Sequence, residues 1–353
     1  MSAAATEIQA DGHTVTITNP DKIYFSKRGE TKLDLVTYYR AVAGPLLEAI
    51  GGRPVLLERY PDGAGGKSWF QKRVPKGVPD WLQTTEVQTP NGTTSDALVA
   101  ADLAHILWAV NLGCLGFHVW PTHADPEPDT SAPPVHDAAG ALLPPTGITD
   151  ELRIDLDPSP GIGFDQLRAA AVETRTLCTE LGIETRIKTS GSRGLHIYAL
   201  LEPRWDGYQV RAAAVALARE LERRHPDTIT AAWWKEERGT RVFVDYNQNA
   251  PHKTVFGAWS VRPKVGAQVS TPISWDELAT VVPDELTIAT VPARVAAHGD
   301  PWAGRVPQSI EPLLKMSERD LAAGLMDAPW PPVYPKMPNE PPRVAPSRAK
   351  KTD

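Results

Sequence analysis

The chain has 353 residues, with 37 lysines and arginines against 43 aspartates and glutamates, so its formal net charge is −6. This charge argues against a protein that coats nucleic acid through bulk positive charge, although it leaves room for a local basic groove. Hydrophobic residues make up 41% and charged residues 23%, as in a globular chain with a core. The length allows one large domain or two ordinary ones.

The cysteines and the N-terminus bear on where the protein works. Cys114 and Cys178 cannot build a disulfide framework or a four-cysteine zinc site, so we expect a reducing, cytoplasmic environment. Residues 1–13 lack the basic and apolar regions of a secretory signal, and no apolar stretch is expected to span a membrane. We expect a monomer.

Charge is unevenly distributed along the chain. Residues 1–80 and 171–280 each carry a net charge of +2, whereas residues 81–170 carry −10. We therefore expect an anionic ligand to contact the first and third of these stretches and the acidic middle to face away from it. A plainer interpretation is that the acidic stretch is a solvated face.

The hydrophobic pattern predicts mixed strands and helices in the first half of the chain. In order, it predicts a strand over 13–18, a helix over 31–50 capped by Thr31, strands over 55–60 and 68–72, a helix over 96–110, a strand over 114–120, and a long loop over 121–146.

The second half continues without strict alternation, which favours the α+β class. It predicts strands over 152–157, 184–188, 195–201, 241–246 and 255–261, and helices over 165–181, 208–224, from 274, and over 308–323. The domain prediction is a catalytic domain over 1–300, with a basic lobe at about 1–80 and a motif-bearing core at about 96–280. A helical extension over 301–330 and a flexible proline-rich tail over 331–353 follow.

Two aspartates, Asp155 and Asp157, lie two positions apart on a predicted strand and so share one face. Carboxylates this close repel each other unless a cation lies between them, and Mg²⁺ or Mn²⁺ prefers such oxygen ligands. Asp245 ends another apolar strand, in the segment RVFVDYNQN, and could supply a third ligand. The plainer interpretations are a solvated strand edge and a turn aspartate.

The segment TSGSRGLH combines small hydroxyls, two glycines, a guanidinium and an imidazole, a composition suited to binding phosphate. Its spacing is not that of a Walker A motif. A hairpin turn with a packed histidine is the alternative. Near the N-terminus, basic residues lie beside aromatic ones, which suits a nucleic-acid strand, or simply a surface with lysines above core aromatics.

The ordered set DLDPSPG, TSGSRGLHIY and VFVDYNQN resembles motifs I, II and III of the polymerase/primase domain of bacterial ATP-dependent DNA ligase D, in the archaeo-eukaryotic primase superfamily. The similarity runs from about residue 14 to 278 and includes NPDKIYF, PVLLERYPDG and WFQK. It implies a primase-polymerase fold of mixed sheets flanked by helices.

The resemblance also implies a role for individual residues. Metal-binding catalytic carboxylates would be Asp155, Asp157 and Asp245. Nucleotide-binding residues would be Ser190, Ser192, Arg193, His196, Gln248, Lys253, Arg262 and His118. DNA-binding residues would be Asn19, Lys22, Lys32, Arg59, Phe70 and Lys72, with the first three around a downstream 5′-phosphate and Phe70 stacked on the template.

The implied activity is metal-dependent addition of NTPs or dNTPs to DNA 3′ ends, at a two-metal site holding Mn²⁺ or Mg²⁺. Short gap filling and end extension in end joining are the implied roles. The implied partners are gapped, 5′-phosphorylated or overhanging DNA, a separate ATP-dependent ligase and a Ku-like end binder, and the implied location is the cytoplasm in association with the nucleoid. No ligase motif is visible, so a stand-alone form is expected. Two alternatives stay open, namely a DNA-end-binding synapsis module with weak catalysis and a two-metal phosphoesterase.

The motifs depart from the family pattern at three places. Arg193 stands where many relatives have lysine, Glu58 where a basic residue is common, and Tyr246-Asn247 where Trp-Ser is frequent. An arginine keeps the charge but offers a planar fork of donors rather than a point charge.

Overall fold

The protein is described here by a computed structural model that covers residues 5–89, 92–124, 134–143 and 146–344. Within these ranges the chain forms two six-stranded and two two-stranded sheets together with eight α-helices. This mixture confirms the predicted α+β class. None of the helices in the described ranges combines the length and apolar character needed to cross a membrane.

The elements alternate irregularly along the chain. The strands are β1 (Thr6–Ala10), β2 (His13–Ile17), β3 (Ile23–Phe25), β4 (Glu30–Thr31), β5 (Pro54–Arg59), β6 (Trp69–Gln71), β7 (Thr84–Gln88), β8 (Thr94–Val99), β9 (Cys114–Val119), β10 (Glu151–Pro158), β11 (Arg186–Thr189), β12 (Leu195–Leu200), β13 (Ile229–Thr230), β14 (Val242–Asp245), β15 (Val255–Phe256) and β16 (Pro272–Ile273). The helices are α1 (Lys32–Ala41), α2 (Ala43–Ile50), α3 (Leu103–Asn111), α4 (Phe164–Glu180), α5 (Gly207–Arg224), α6 (Lys235–Arg238), α7 (Val291–His298) and α8 (Glu311–Ala322).

Each six-stranded sheet has its own hydrophobic core. The first sheet runs β15-β9-β5-β8-β7, with β6 paired to β5, and its core includes Tyr39, Leu107 and Phe117. The second runs β13-β14-β10-β12-β11-β16, and its core includes Leu156 and Val244. Strand β15 of the first sheet lies in sequence between β14 and β16 of the second sheet, so the two sheets are interleaved along the chain.

The helix predicted over 96–110 is wrong at its start, because β8 occupies the first positions. Ser95 and Ala97 are buried while Thr94 and Asp96 are exposed, which is the alternation of a strand. The helix begins only after Asp102, whose side chain accepts a hydrogen bond from the His105 amide at 3.0 Å. The hairpin β7–β8 and the strand β1 were absent from the sequence prediction.

The helix predicted over 31–50 is two helices that meet at Val42. Thr31 caps the first helix as predicted, since its hydroxyl accepts from the Asp34 amide and the Asp34 side chain accepts from the Thr31 amide. Pro45 lies in the first turn of α2 and has no amide to donate to the carbonyl of Ala41, so a continuous helix would lose a hydrogen bond there.

The segment 327–343, here called the C-terminal strap, differs from the expected flexible tail. Trp330, Tyr334 and Met337 are buried in one apolar cluster with Ala250, and the Tyr334 hydroxyl donates to the carbonyl of Pro251 at 2.6 Å. Aromatic anchors between the prolines thus attach the strap to the protein. Residues 125–133 and 144–145 of the predicted loop, and 345–353 of the predicted tail, lie outside the described residues.

Candidate metal and nucleotide site

Four polar side chains lie in a row across neighbouring strands of the second sheet. The pairing places Asp245 opposite Asp155, Asp155 opposite His196, and His196 opposite Lys188. Directly opposed residues project from the same face of a sheet. The register therefore brings together residues up to 90 positions apart, and we call these four residues the cross-strand row.

Asp157 joins the row's two aspartates to form a carboxylate triad. One oxygen from each of Asp155, Asp157 and Asp245 lies within 4.8 Å of the others. Burial, followed by repulsion from Asp157 and Asp245, raises the pKa of Asp155 well above its usual value. Burial and the neighbouring Asp157 likewise raise the pKa of Asp245.

The triad fits a divalent cation. The Oδ1 atom of Asp155 is buried and accepts no hydrogen bond, so a lone pair faces the triad unused. All the candidate ligands are carboxylate oxygens, which hard cations such as Mg²⁺ and Mn²⁺ prefer. A cation between the carboxylates would remove the repulsion that raises their pKa values.

The loop between β11 and β12 is closed by the side chain of Ser190, whose Oγ accepts from the amides of Ser192 at 3.1 Å and Gly194 at 3.0 Å. Gly191 has a φ of +68°, and a Cβ there would lie 2.8 Å from the Arg262 side chain and 2.9 Å from the Ser270 amide nitrogen. Only glycine avoids both the strain and the overlap, so TSGSRG forms a tight, preorganised turn.

Two cations brace this turn from the neighbouring loop. Arg262 Nε donates to the carbonyl of Ser190 at 2.6 Å, and Lys264 Nζ donates to Ser192 Oγ at 2.8 Å. Burial lowers the pKa of Arg262 to about 10, against the opposing effect of Asp155. The turn therefore presents amides and hydroxyls beside fixed positive charge, which suits a phosphate.

Asp155 and Asp157 of the triad open, together with the turn, into one cleft with a cavity of about 650 Å³. Residues of the first sheet line one wall and residues of the second sheet line the other. Of the residues singled out from the sequence, those that line it are Phe70, Lys72, His118, Asp155, Asp157, Ser190, Ser192, Arg193, His196, Gln248, Lys253 and Arg262. The structure thus brings the predicted nucleotide-binding set together.

Asp245 is held by the residues that follow it. The Asn247 amide donates to Oδ1 at 3.0 Å and Gln248 Nε2 donates to Oδ2 at 2.8 Å. Asn247 is in turn fixed by Arg211, whose Nε donates to Asn247 Oδ1 at 2.8 Å. Arg211 also donates to the carbonyl of Ala328 and stacks on Trp330, so the C-terminal strap supports this arm of the row.

His118 lies on the opposite wall, between the rings of Phe70 and Phe256. Its Nε2 is 3.3 Å from Glu58 Oε2, and Tyr60 donates to Glu58 Oε1 at 2.6 Å. Burial alone would raise the pKa of Glu58, but these two hydrogen bonds hold it below its usual value. The departure at Glu58 therefore gives His118 a carboxylate partner.

The predicted DNA-binding residues do not all lie together. Backbone hydrogen bonds join Lys22 to Asn19 and Lys32 to Lys22, but none of these three lines the cleft. Phe70, which is 57% exposed, and Lys72 lie at the cleft. Lys32 is buried and donates to the carbonyls of Thr18 at 2.7 Å and Asn111 at 3.1 Å, and burial lowers its pKa to about 8. Outside the cleft lining, Asn19 is exposed with a φ of +49°.

Lys22 and Arg59 also contact the protein itself. Lys22 pairs with Asp62 at 2.7 Å. Arg59 donates to the carbonyl of Leu112 at 2.8 Å and lies over the Trp69 ring. Sequence analysis missed Lys188, although its place on the strand before the turn, eight residues before His196, was the available signal.

Comparison with known proteins identifies the family. A family model described as "LigD, primase-polymerase domain" matches residues 31–302. The multifunctional non-homologous end joining DNA repair protein LigD of Mycobacterium tuberculosis is 32% identical over 293 residues, which is 82% of this chain and 37% of the relative. The bifunctional non-homologous end joining protein LigD of Bacillus subtilis is 30% identical over 288 residues, 81% of this chain and 43% of the relative.

The chain thus spans less than half the length of these curated relatives. A solved structure, the polymerase domain from Mycobacterium tuberculosis ligase D in complex with DNA, matches with a TM-score of 0.74 and 31% identity, covering 82% of this chain and 97% of that chain. The motif resemblance is confirmed, and the chain belongs to the LigD primase-polymerase domain family.

Proposed function

We propose that this protein is a metal-dependent, DNA-templated nucleotidyltransferase that adds nucleotides to DNA 3′ ends and fills short gaps during end joining. The observation that carries the proposal is the convergence of a carboxylate triad, two of whose members line one cleft, with a turn suited to phosphate that lines the same cleft. Phosphoryl transfer needs little covalent chemistry from the protein beyond such positioning and charge. The family assignment supports the same reaction.

Asp155, Asp157 and Asp245 would hold the divalent cations. When bound there, Mg²⁺ or Mn²⁺ would activate the 3′ hydroxyl and stabilise charge on the transferring phosphate and the leaving pyrophosphate. The protein's own contribution is to keep three carboxylates together at a fixed spacing. Gln248 and the Asn247 amide do this for Asp245 through the two hydrogen bonds described above.

The incoming NTP or dNTP would place its phosphates on the turn formed by Ser190 to Gly194. Arg193, Lys253 and Arg262 line the same cavity and would neutralise the triphosphate, while His196 offers a ring nitrogen beside Asp155. Arg262 is already fixed by the Ser190 carbonyl, so it needs little reorganisation when the nucleotide binds.

DNA would enter over the rim formed by Phe70 and Lys72, which combines an exposed ring with a positive charge. The related polymerase domain is in complex with DNA, which supports DNA as the partner of this chain. We further propose that Asn19, Lys22 and Lys32 receive the 5′-phosphate of the downstream strand. Ligand binding at Lys22 would have to displace its contact with Asp62.

The synapsis module and the phosphoesterase are not favoured. A module that only bound DNA ends would not need a complete triad beside a complete phosphate turn. A phosphoesterase would need no template-binding rim.

A primer-extension assay tests the proposal. Gapped, 5′-phosphorylated DNA is incubated with NTPs or dNTPs and with Mn²⁺ or Mg²⁺, using the wild type, Asp155→Ala and Asp227→Ala. Asp227 is an exposed carboxylate after α5 and serves as the control. We expect template-directed addition by the wild type and the control, and a loss of roughly a thousandfold or more in Asp155→Ala. Extension by Asp155→Ala at the wild-type rate would contradict the proposal.

A further inference from the structure

Lys188 ends the cross-strand row and is completely buried, with 0% of its surface exposed. It lies on β11 directly opposite His196, and it is absent from the lining of the cleft. A buried lysine is costly unless its donors are satisfied, and an apolar side chain of similar shape would pack there at lower cost. Packing alone therefore does not explain a lysine at this position, and its polar contacts must be considered.

The Nζ atom of Lys188 has three neighbours at hydrogen-bond distance. They are Ser270 Oγ at 2.6 Å, His196 Nδ1 at 2.9 Å and the carbonyl of Phe256 at 3.1 Å. A carbonyl can only accept, and the Ser270 hydroxyl uses its own proton to donate to the carbonyl of Thr189 at 3.1 Å. Two of the three neighbours are thus acceptors by chemistry. Burial lowers the pKa of Lys188 well below its usual value, and the neighbouring Asp155 acts in the opposite direction; the ammonium form has three N–H donors, one for each neighbour.

The surroundings of the second ring nitrogen, Nε2, determine whether His196 Nδ1 accepts or donates in the third contact. His196 Nε2 lies 3.4 Å from Asp155 Oδ1. With a cation bound at the triad, Asp155 is ionised and can only accept, so an attractive contact then needs the proton on Nε2. A neutral imidazole with its proton on Nε2 has a lone pair on Nδ1, where the ammonium of Lys188 donates. The opposite tautomer would set the lone pair of Nε2 against that of Asp155.

We propose that Lys188 is a positioning residue that fixes the tautomer and ring orientation of His196, so that the Nε2 proton is directed past Asp155 into the cleft. Lys188 acts through His196 and touches neither nucleotide nor metal. This part rests on the proposed function: the Nε2–H of His196 donates to an oxygen of the nucleotide's phosphates. Metal-binding histidines in other proteins are held in the same way, because a hydrogen bond to the second ring nitrogen fixes the tautomer and the ring orientation.

The first test reads the tautomer directly, in protein saturated with Mg²⁺ and without nucleotide, because the bound cation keeps Asp155 ionised. Nitrogen-15 NMR of histidine-labelled protein gives the protonation of each ring nitrogen, and the His196 signals are assigned by their loss in His196→Ala. We expect Nε2 protonated and Nδ1 unprotonated in the wild type, and a mixture of both tautomers in Lys188→Met. A wild-type ring protonated on Nδ1, or a ring unchanged by Lys188→Met, would overturn the proposal.

The second test asks whether Lys188 acts through His196. Extension kinetics are measured for the wild type, Lys188→Met, His196→Ala and the double variant. We expect Lys188→Met to raise KM for the nucleotide about tenfold, the value of one hydrogen bond to a charged group, with a smaller change in kcat. In the His196→Ala background the same substitution should change KM less than twofold. Independent, multiplying effects would overturn the proposed route.

Ser270→Ala covers the case in which Lys188→Met does not fold. It keeps the lysine and removes its shortest hydrogen bond, and we expect a partial shift of the His196 tautomer and a smaller rise in KM. A full wild-type tautomer in Ser270→Ala and in any folded Lys188 variant would overturn the proposal. Failure of every variant and of the wild type to extend DNA would instead contradict the proposed function and leave the NMR result standing.

Discussion

The cross-strand row and the N-terminal basic residues are both sets of charged side chains, yet the protein positions them in opposite ways. Asp155, His196 and Lys188 are buried, and pairing between strands fixes where each one points. Lys22 lies in a loop and pairs with an exposed aspartate, while Arg59 sits at a strand end bonded to a carbonyl of the protein. The row is therefore preorganised by the fold, whereas a ligand would have to recruit the basic residues.

Because the fold preorganises the cross-strand row, we expect substitutions that remove its supporting contacts to lower the free energy of unfolding far more than substitutions of the basic residues. The largest effect is expected at Arg211, which links the C-terminal strap to Asn247 and through it to Asp245. Arg211→Met leaves Asp327 and Asn247 without their buried donor, and we expect a loss of about 3–5 kcal/mol in the free energy of unfolding. Urea unfolding measures it. A loss below about 1 kcal/mol would show that the strap does not support the row.

A matched pair of glycines tests how tightly the turn from Ser190 to Gly194 is packed. Gly191 and Gly182 have φ values of +68° and +72°, but a Cβ at Gly182 meets nothing within 4 Å. We expect Gly182→Ala to cost about 1 kcal/mol from backbone strain alone. Gly191→Ala should cost roughly 2–4 kcal/mol, because it adds overlap with Arg262 and the Ser270 amide. Equal costs for the two variants would mean that the turn is loose.

Lys32 belongs to the basic residues by sequence but is buried like the row, so it sharpens the comparison. Its pKa is about 8 in the folded protein, below the usual 10.5. The unfolded chain binds more protons than the folded chain between these two values, so stability should rise as pH increases from about 8 to 10.5. We expect Lys32→Met to flatten the pH dependence of the unfolding free energy over that window. A parallel curve for the variant would contradict the effect of burial.

The smallest effect is expected at Lys22, whose contact with Asp62 is exposed. Such pairs contribute about 0–1 kcal/mol to stability, so Lys22→Met should leave unfolding nearly unchanged. If Lys22 receives a 5′-phosphate, the variant should bind 5′-phosphorylated gapped DNA about three- to tenfold more weakly and unphosphorylated gapped DNA equally well. Lys27→Met, an exposed lysine from the same loop region, is the control. Equal discrimination by the wild type and Lys22→Met would remove the residue from the proposed site.

Part of the candidate site could be predicted from local sequence patterns. Asp155 and Asp157 were recognisable as a pair because strand periodicity puts alternate residues on one face. Their union with Asp245 was a hypothesis from motif order, and the strand pairing supplies the physical reason for it. Lys188 could have been found by counting outward from the turn at Ser190, since the hairpin register sets it opposite His196.

Other features depended on contacts far apart in sequence. Composition made the strap look disordered, because its prolines outweigh the buried Trp330, Tyr334 and Met337 that attach it to Pro251 and Ala250. The segment containing β8 looked helical because it runs directly into α3 without a strong break. The burial of Lys32 and its hydrogen bonds to the protein could not be predicted from a local pattern, because one acceptor, the carbonyl of Asn111, lies 79 residues away.

The central claim is that the carboxylate triad of Asp155, Asp157 and Asp245 is a divalent-cation site. Binding of Mn²⁺, followed by the electron paramagnetic resonance signal of the free ion, tests it without DNA or nucleotide. We predict saturable binding by the wild type and by the control Asp227→Asn, and binding weakened at least tenfold in Asp155→Asn, which keeps the shape of the side chain but removes its charge. Equal Mn²⁺ affinity in the wild type and Asp155→Asn would contradict the claim.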